Sequence, residues 1–376
     1  MHRLVAINLL DSFLQGAYWW TIPLLLVERG IDLATIGVVF AAYPLVFFLS
    51  RMLFASAADS VGLRAFFNLN ALTAFCSAAF YAISRSPFSF AIAKATQGLK
   101  DSSLWAVNRN AAYEIAKGRE PQMVSATVIF IRGLGVACGA ILSGILMSTI
   151  GFLGIFMLLA VLSATMFVPA NMLDIGPRRE FDVHELLMRL RPDFNNQKLW
   201  RISLVMGFHT MAAALITGYI LPIFLRSKGM GYWEIATMSA VYAGAGVFLL
   251  PITLRKVPSV KQTIVAQLLL YVPAVTAVPF FEEGPMIGMV ILMALGESTS
   301  YIVWESLIHH AVEGSENVAT AIGWVHLPAH LVQIFALVFA GILTESIGYL
   351  APFWISSISF FLYSIFAWRS LRNVKK

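Results

Sequence analysis

Charge is scarce in this chain. Of its 376 residues, 12% are Asp, Glu, Lys or Arg, roughly half the share of a soluble globular domain. That excludes a water-soluble enzyme of one or two domains. Its 59% apolar content excludes a disordered chain, which is poor in such residues. Cysteine is nearly absent. Cys76 and Cys138 both lie within apolar stretches and are expected as small core residues, with no disulfide and no metal site. The phosphate-binding pattern G-x-x-x-x-G-K-[ST] does not occur, and no loop is long enough to fold a nucleotide domain, which excludes a primary pump.

What is present is apolar sequence in long runs. A spanning helix needs about 20 apolar residues. Twelve segments meet that need, at residues 4–27, 33–55, 65–84, 87–108, 121–147, 151–172, 199–225, 232–254, 261–281, 285–308, 316–343 and 349–368. The expected fold is therefore an all-α polytopic membrane protein. The first run is too long for the apolar region of a signal peptide and reads as a first span.

The longest polar stretch, 173–198, divides the chain nearly in half. It predicts an N-terminal six-helix bundle over 1–172, a linker over 173–198 and a C-terminal six-helix bundle over 199–376. Lys and Arg fall unevenly in the loops. Nineteen lie on one side, four on the other and three inside spans. Basic loops stay in the cytoplasm, so both termini and the linker are expected there, in a multi-pass protein of the plasma membrane. The same bias accounts for the net charge of +6 without nucleic acid.

The chain also repeats itself. The run Gly144-Ile145-Leu146 through Gly151 to Phe156 returns as Gly341-Ile342-Leu343 through Gly348 to Phe353, with seven of 13 positions identical at an offset of 197. At an offset of 199, Pro23, Gly30, Ile36, Ala41 and Tyr43 match Pro222, Gly229, Ile235, Ala240 and Tyr242. Both offsets are close to half the chain. Two parallel six-helix halves form a known transporter layout, with the substrate site near the midplane.

Three motifs sharpen this. The loop between spans 2 and 3 reads Ala55-Ser56-Ala57-Ala58-Asp59-Ser60-Val61-Gly62-Leu63-Arg64. Span 4 carries Lys94-Ala95-Thr96-Gln97-Gly98, and span 5 carries Gly135, Gly139, Ala140, Ser143 and Gly144 in a G-x-x-x-G-A-x-x-S-G series. In order and placement these resemble the signatures of the major facilitator superfamily: G-x-L-a-D-r-x-G-r-r/k, R-x-x-Q-G, and the G-x-x-x-G-P-x-x-G-G of its proton-coupled exporters. Here Ala55, Ser60, Lys94, Ala140 and Ser143 replace the family's residues. The resemblance covers essentially the whole chain. It implies a cytoplasmic gate at Asp59, Gly62, Arg64 and Arg109, with Arg64 or Arg109 pairing Asp59. It also implies a central cavity lined by spans 1, 4, 7 and 10. Gly62 suits a tight turn, and Gly135, Gly139 and Gly144 suit close helix packing.

Ionisable groups at bilayer depth are costly and usually face a cavity or a partner. Span 1 carries Asp11, Gln15 and Tyr18. Span 4 carries Lys94, Gln97, Asp101, Trp105 and Asn108 within about 80° of arc, with Lys100 outside it. Span 5 has Arg132, expected in a structural ion pair, and span 7 has His209. Span 10 has Glu297, Tyr301, Trp304 and Glu305. Span 11 has His326, His330 and Gln333, whose i, i+4 histidines lack the H-E-x-x-H pattern of a metal site. Lys94, two turns from Asp101, is the expected counter-ion if Asp101 is only structural. The repeat pairs Asp11 with Thr210, beside His209, so these two are expected at similar depth.

The expected function is secondary active transport of a small organic solute by alternating access. Protons would be the coupling ion, with Asp11, Asp101 or Glu297 as carriers, and export is favoured over uptake. The substrate or proton-coupling set is Asp11, Gln15, Tyr18, Lys94, Gln97, Asp101, Trp105, His209, Glu297, Tyr301 and Trp304. The mixture of acids, bases and aromatics suits an amphipathic metabolite or drug-like cation. The expected partners are substrate, protons and lipid, with no cofactor, metal or nucleic acid, and the expected state is a monomer. The rival readings are a lipid-modifying membrane enzyme and a non-transporting receptor on the same fold.

Overall fold

The computed structural model describes residues 2–115, 121–173, 196–255, 259–313 and 318–372. Every regular element among them is helical. The reason is backbone chemistry. A long apolar segment in hydrocarbon has no water to satisfy its N–H and C=O groups, and a helix satisfies them internally.

The helices are α1 (His2–Glu28), α2 (Leu33–Val61), α3 (Leu63–Ile83), α4 (Pro87–Ile115), α5 (Pro121–Thr165), α6 (Phe167–Asn171), α7 (Gln197–Thr217), α8 (Ile220–Ser227), α9 (Tyr232–Arg255), α10 (Val260–Ala277), α11 (Glu283–Val312), α12 (Val318–Val325), α13 (Leu327–Ile347) and α14 (Leu350–Leu371). Among the described residues, eight helical segments are long and apolar enough to cross a bilayer. Of the long helices, α1, α4 and α9 fall outside that set. α1 and α4 are 27 and 29 residues long, about 40 Å or more at 1.5 Å per residue, and buried polar side chains interrupt them.

The structure differs from the hydropathy reading at three places. Spans 5 and 6 have no loop between them. α5 bends at Gly151, whose φ of 61° and ψ of −174° reverse the chain in one residue. Span 7 is broken between Thr217 and Ile220, with Pro222 in the first turn of α8, where its missing N–H costs nothing. Span 11 is broken at His326, and Pro328 opens α13 in the same way.

The Gly151 conformation returns at Gly348, with φ 98° and ψ 176°. That is the partner position at offset 197. Gly30 and Gly229, partners at offset 199, also both have positive φ. A left-handed backbone of this kind strains any residue with a Cβ. The sequence repeat is therefore a repeat of backbone geometry.

The helices cluster into two compact units. The first comprises Met1–Gly30, Ala42–Arg191 and Tyr232–Ala240, and the second Ile31–Ala41, Pro192–Gly231 and Val241–Lys376. In the first, α1 packs most extensively on α5. A Cβ at Gly135 would lie 2.7 Å from the Leu9 carbonyl oxygen, and one at Gly139 would collide with the Phe13 carbonyl. These glycines let two backbones touch. Gly144 receives the start of α9 in the same way, meeting Ala236 and lying near the Tyr232 carbonyl. In the second unit, Gly341 meets the Leu33 carbonyl at the start of α2. Gly144 and Gly341 are repeat partners, and so are Tyr232 and Leu33, so each unit makes the same crossing. Both cysteines are free. Cys76 is half-buried, but Cys138 is exposed on its unit, which corrects the core position expected of it. Its face of α5 turns away from the bundle, where a small apolar residue is at no disadvantage.

Two outcomes are expected. Gly139→Val should lower the apparent melting temperature of the detergent-purified protein by an amount equivalent to ~1–3 kcal/mol or more of overpacking. Gly288→Ala, where an added Cβ meets nothing within 4 Å, should be near neutral. Separately, Asp32 caps α2 by accepting from the Thr35 N–H at 2.7 Å, and that bond holds its carboxyl below the usual carboxylate range. A depressed carboxyl stabilises the fold above its unfolded value of about 4 and loses that contribution as the pH falls through the folded value. Asp32→Ala should therefore cost ~0.5–1 kcal/mol at pH 7. Melting curves from pH 7 down to pH 3 should show that deficit narrowing.

Candidate functional site

The polar core of the first unit is built on a single lysine. Lys100 of α4 places its Nζ 2.8 Å from Asp11 Oδ1 on α1 and 2.8 Å from Asp101 Oδ1 on its own helix. Lys100 and the Asp11 side chain are sealed at 0% exposure. The second Asp11 oxygen is held by Arg132 of α5 at 3.2 Å, and Asn70 of α3 donates to Oδ1 at 3.2 Å. Tyr43 of α2 donates to Asp101 Oδ2 at 2.8 Å. Five helices thus converge on two carboxylates. Such a cluster is tolerable in a low-dielectric interior only because each charge is met.

On the reading of Asp101 as purely structural, its counter-ion was to be Lys94; the ammonium that lies 2.8 Å from Asp101 is that of Lys100. The 80° arc describes where each Cα–Cβ bond points. It does not capture the reach of a four-carbon side chain, and that is how Lys100 escapes it. Lys94 instead lies 3.1 Å from Gln97 Oε1 and 5.7 Å from the centre of the Tyr43 ring. Gln97 also accepts from Tyr81 at 2.9 Å and donates to Gln15 at 3.4 Å. Tyr18 is buried in a ring cluster with Tyr81 and Phe156. Trp105 is exposed and lies under the Arg132 guanidinium at 4.7 Å. Asn8 and Asn108 exchange hydrogen bonds at 2.8 Å in the same layer. Tyr43, Asn70, Asn8 and Tyr81 are participants that sequence reasoning missed. Single neutral polar residues in apolar helices gave no signal, although the Tyr43–Tyr242 repeat match pointed at one of them.

The second unit repeats one element of this design. Tyr242 of α9, the repeat partner of Tyr43, donates a short hydrogen bond to Glu297 of α11. Each unit therefore sets a tyrosine against a buried carboxylate. They differ in the counter-ion. No lysine or arginine among the described residues pairs with Glu297, which is 8% exposed. Nearby, His209 of α7 contacts Ser300 Oγ at 2.6 Å. Its ring lies 5.0 Å from Trp304, 4.9 Å from Tyr363 and 6.1 Å from Tyr301. Trp304 in turn lies 5.6 Å from His326, which is 6.2 Å from His330. Glu305 is exposed. No cluster of three or more His, Cys, Asp or Glu that could hold a metal occurs among the described residues.

The family model described as Major Facilitator Superfamily matches residues 4–282. This chain belongs to that superfamily. It is a multi-pass membrane transporter and not an enzyme.

Superfamily transporters of known structure share its fold. A variant of the nucleoside transporter NupG superposes with a TM-score of 0.78 at 14% identity, over 99% of both chains. A POT family transporter in complex with 5-aminolevulinic acid gives 0.75 at 14%, over 99% of this chain and 96% of that one. The human organic anion transporter MFSD10 (TETRAN) gives 0.68 at 16%, over 97% and 99%. No curated protein sequence matches significantly.

At the superfamily's loop signature, Gly62 has φ 91° and links α2 to α3 through a single residue. Arg64 donates to Asn171 Oδ1 at 3.1 Å, joined there by Asn68 at the same distance. Arg109 is exposed at the same end of α4. The Asp59 side chain, on which the expected latch depends, lies outside the described residues. Arg132 makes the structural ion pair expected of it.

Lys100→Met removes the cation shared by Asp11 and Asp101. It should cost ~3–5 kcal/mol, the range for stranding a buried charge, and sharply lower the yield of folded protein by size exclusion. Lys100→Met combined with Asp101→Asn should recover part of that loss. Equal yields for the single and double variants would show that the pair is not coupled.

Proposed function

We propose that this transporter is proton-coupled, works by alternating access in the plasma membrane with both termini in the cytoplasm, and uses Glu297 as its proton carrier. The two six-helix bundles are 1–172 and 199–376, joined by 173–198. Asp59, Gly62, Arg64 and Arg109 form the cytoplasmic gate, and export is the proposed direction. The Tyr–carboxylate pair present in both units supports the assignment of Glu297. In the first unit, protonating Asp11 or Asp101 would strand Lys100 in the interior. In the second, Glu297 gains or loses a proton against a neutral phenol, and no described cation is left behind. A coupling site must change charge during every cycle, so the group whose titration strands nothing is suited to it. Asp11, Asp101, Lys100 and Arg132 are then the rigid polar core against which the cycle works.

The test uses proteoliposomes loaded with a pH-sensitive dye. A panel of nucleosides, amino acids, organic acids and organic cations is added under a pH gradient. Wild-type protein should move protons with at least one solute. Glu297→Gln should abolish that movement while still binding the same solute. Undiminished proton movement in Glu297→Gln would overturn the assignment.

A further inference from the structure

We propose that the end of α6 holds the head group of an anionic phospholipid of the cytoplasmic leaflet, with the acyl chains of that lipid lying along the seam between α3 and α6. This goes beyond the transport cycle. It rests on the membrane-spanning fold, and the leaflet follows from the orientation proposed above.

Two exposed arginines of the first unit meet at that end. Arg3 of α1 donates to the Met172 carbonyl, which caps α6. Arg64 of α3 donates to Asn171 Oδ1 at 3.1 Å, and Asn68 donates to the same oxygen at 3.1 Å. Three helices thus bring two guanidinium groups and two amides to consecutive residues of one helix end. Among the described residues, no carboxylate forms an ion pair with Arg3 or Arg64. α3, α5 and α6 contain no Asp or Glu, and Asp11 of α1 is committed to Lys100 and Arg132. A cation closing a helix C-terminus is the simpler role, but it occupies little of what is offered. A guanidinium has five N–H donors in a fixed fork, and each of these spends one. Such a fork matches the oxygens of a phosphate.

Below the arginines the surface turns apolar. Arg64, Asn68, Leu72 and Phe75 fall within about 80° of arc on α3, and Leu72 and Phe75 are exposed. The step from Arg64 to Phe75 rises about 16 Å at 1.5 Å per residue. One leaflet of a bilayer with a ~30 Å hydrocarbon core is ~15 Å deep. α6 packs on α3 and exposes Val168 beside this stripe. Donors at the water edge with apolar side chains one leaflet deep beneath them reproduce the order of groups in a phospholipid. A soluble phosphate compound would leave the stripe bare, and a zwitterionic lipid would set its own cation against the arginines. Basic residues at the cytoplasmic surface are drawn to anionic lipid, and here they are fixed in place by α6.

The test titrates lipids into the detergent-purified full chain and reads thermal stabilisation, with native mass spectrometry counting the lipids retained. The probes are dioleoyl phosphatidylglycerol, dioleoyl phosphatidylcholine, glycerol 3-phosphate and inorganic phosphate at matched ionic strength. A ligand that binds the native state raises the melting temperature by mass action. Phosphatidylglycerol should stabilise in a saturable manner, with at least one molecule retained per chain, and the other three should not match it. Arg3→Gln and Arg64→Gln should each weaken it by ~5-fold, the scale for one basic residue at an anionic surface, and together by ~25-fold. Arg64→Lys should keep part of the affinity. Arg369→Gln, exposed in the last turn of α14 in the second unit, should leave it unchanged. If Arg64→Gln does not fold, Arg3→Gln and the lipid contrast on the wild type still decide. Equal stabilisation by phosphatidylcholine, a shift from either soluble phosphate as large as the lipid's, undiminished binding in the double variant, or an equal loss in Arg369→Gln would each overturn the proposal.

Discussion

The first unit depends on keeping Lys100 company. A primary ammonium with no exposed surface, in a helix meant for hydrocarbon, has no water to fall back on. Asp11 comes to it from α1, Asp101 from its own helix, and Arg132 and Asn70 reach Asp11 from α5 and α3. These contacts fix how deep α1, α3, α4 and α5 lie relative to one another. A slip of one helix by a turn would move a carboxylate about 5 Å and leave a charge exposed to lipid or buried alone. The close α1–α5 contact at Gly135 and Gly139 serves the same end, because Arg132 reaches Asp11 only if the two backbones nearly touch. Packing and electrostatics are therefore a single constraint here.

The second unit inherits the plan and relaxes it. Tyr242 meets Glu297 as Tyr43 meets Asp101, at repeat-related tyrosines. No lysine follows on α11. Beside the carboxylate lie His209, Ser300, Trp304 and Tyr363, joined by a His209–Ser300 contact and by ring packing on the imidazole. Duplicated halves thus diverged at their polar cores, one toward fixed ion pairs and the other toward a carboxylate with neutral neighbours. The backbone elements that reverse the chain or bring helices together diverged far less. Gly151 and Gly348 share a rare conformation, and Gly144 and Gly341 receive equivalent helix starts. Steric rules at these positions admit glycine and little else, whereas a polar pair can be rebuilt from several residue types.

Much of this was legible from the residues. The apolar runs located the helices, and the repeat at offsets of 197 and 199 anticipated matching turns and crossings. The motifs in α2–α5 led to the superfamily that the family model matches. Asp11, Asp101, Arg132, His209 and Glu297 stood out because charge inside an apolar run is conspicuous. The helix breaks at Tyr219 and His326 were missed because each interrupts a run that stays apolar across it, so hydropathy carries no trace. Only the prolines that follow, Pro222 and Pro328, were available as a signal.

The sequence by itself determined the helical, membrane-spanning class, the twofold repeat and the short set of residues able to carry charge through the interior. Those properties follow from composition and periodicity, which bilayer thickness and glycine's backbone freedom convert directly into structure. The tertiary structure alone decided which charges meet: that Lys100 touches both Asp11 and Asp101, that Asp11 is doubly held, and that Glu297 meets a phenol. The reason is reach. Partners as far apart in the chain as Asp11 and Arg132, or as near as Lys100 and Asp101, meet through side chains several ångströms long, and neither separation along the chain nor direction around a helix records where such a side chain ends.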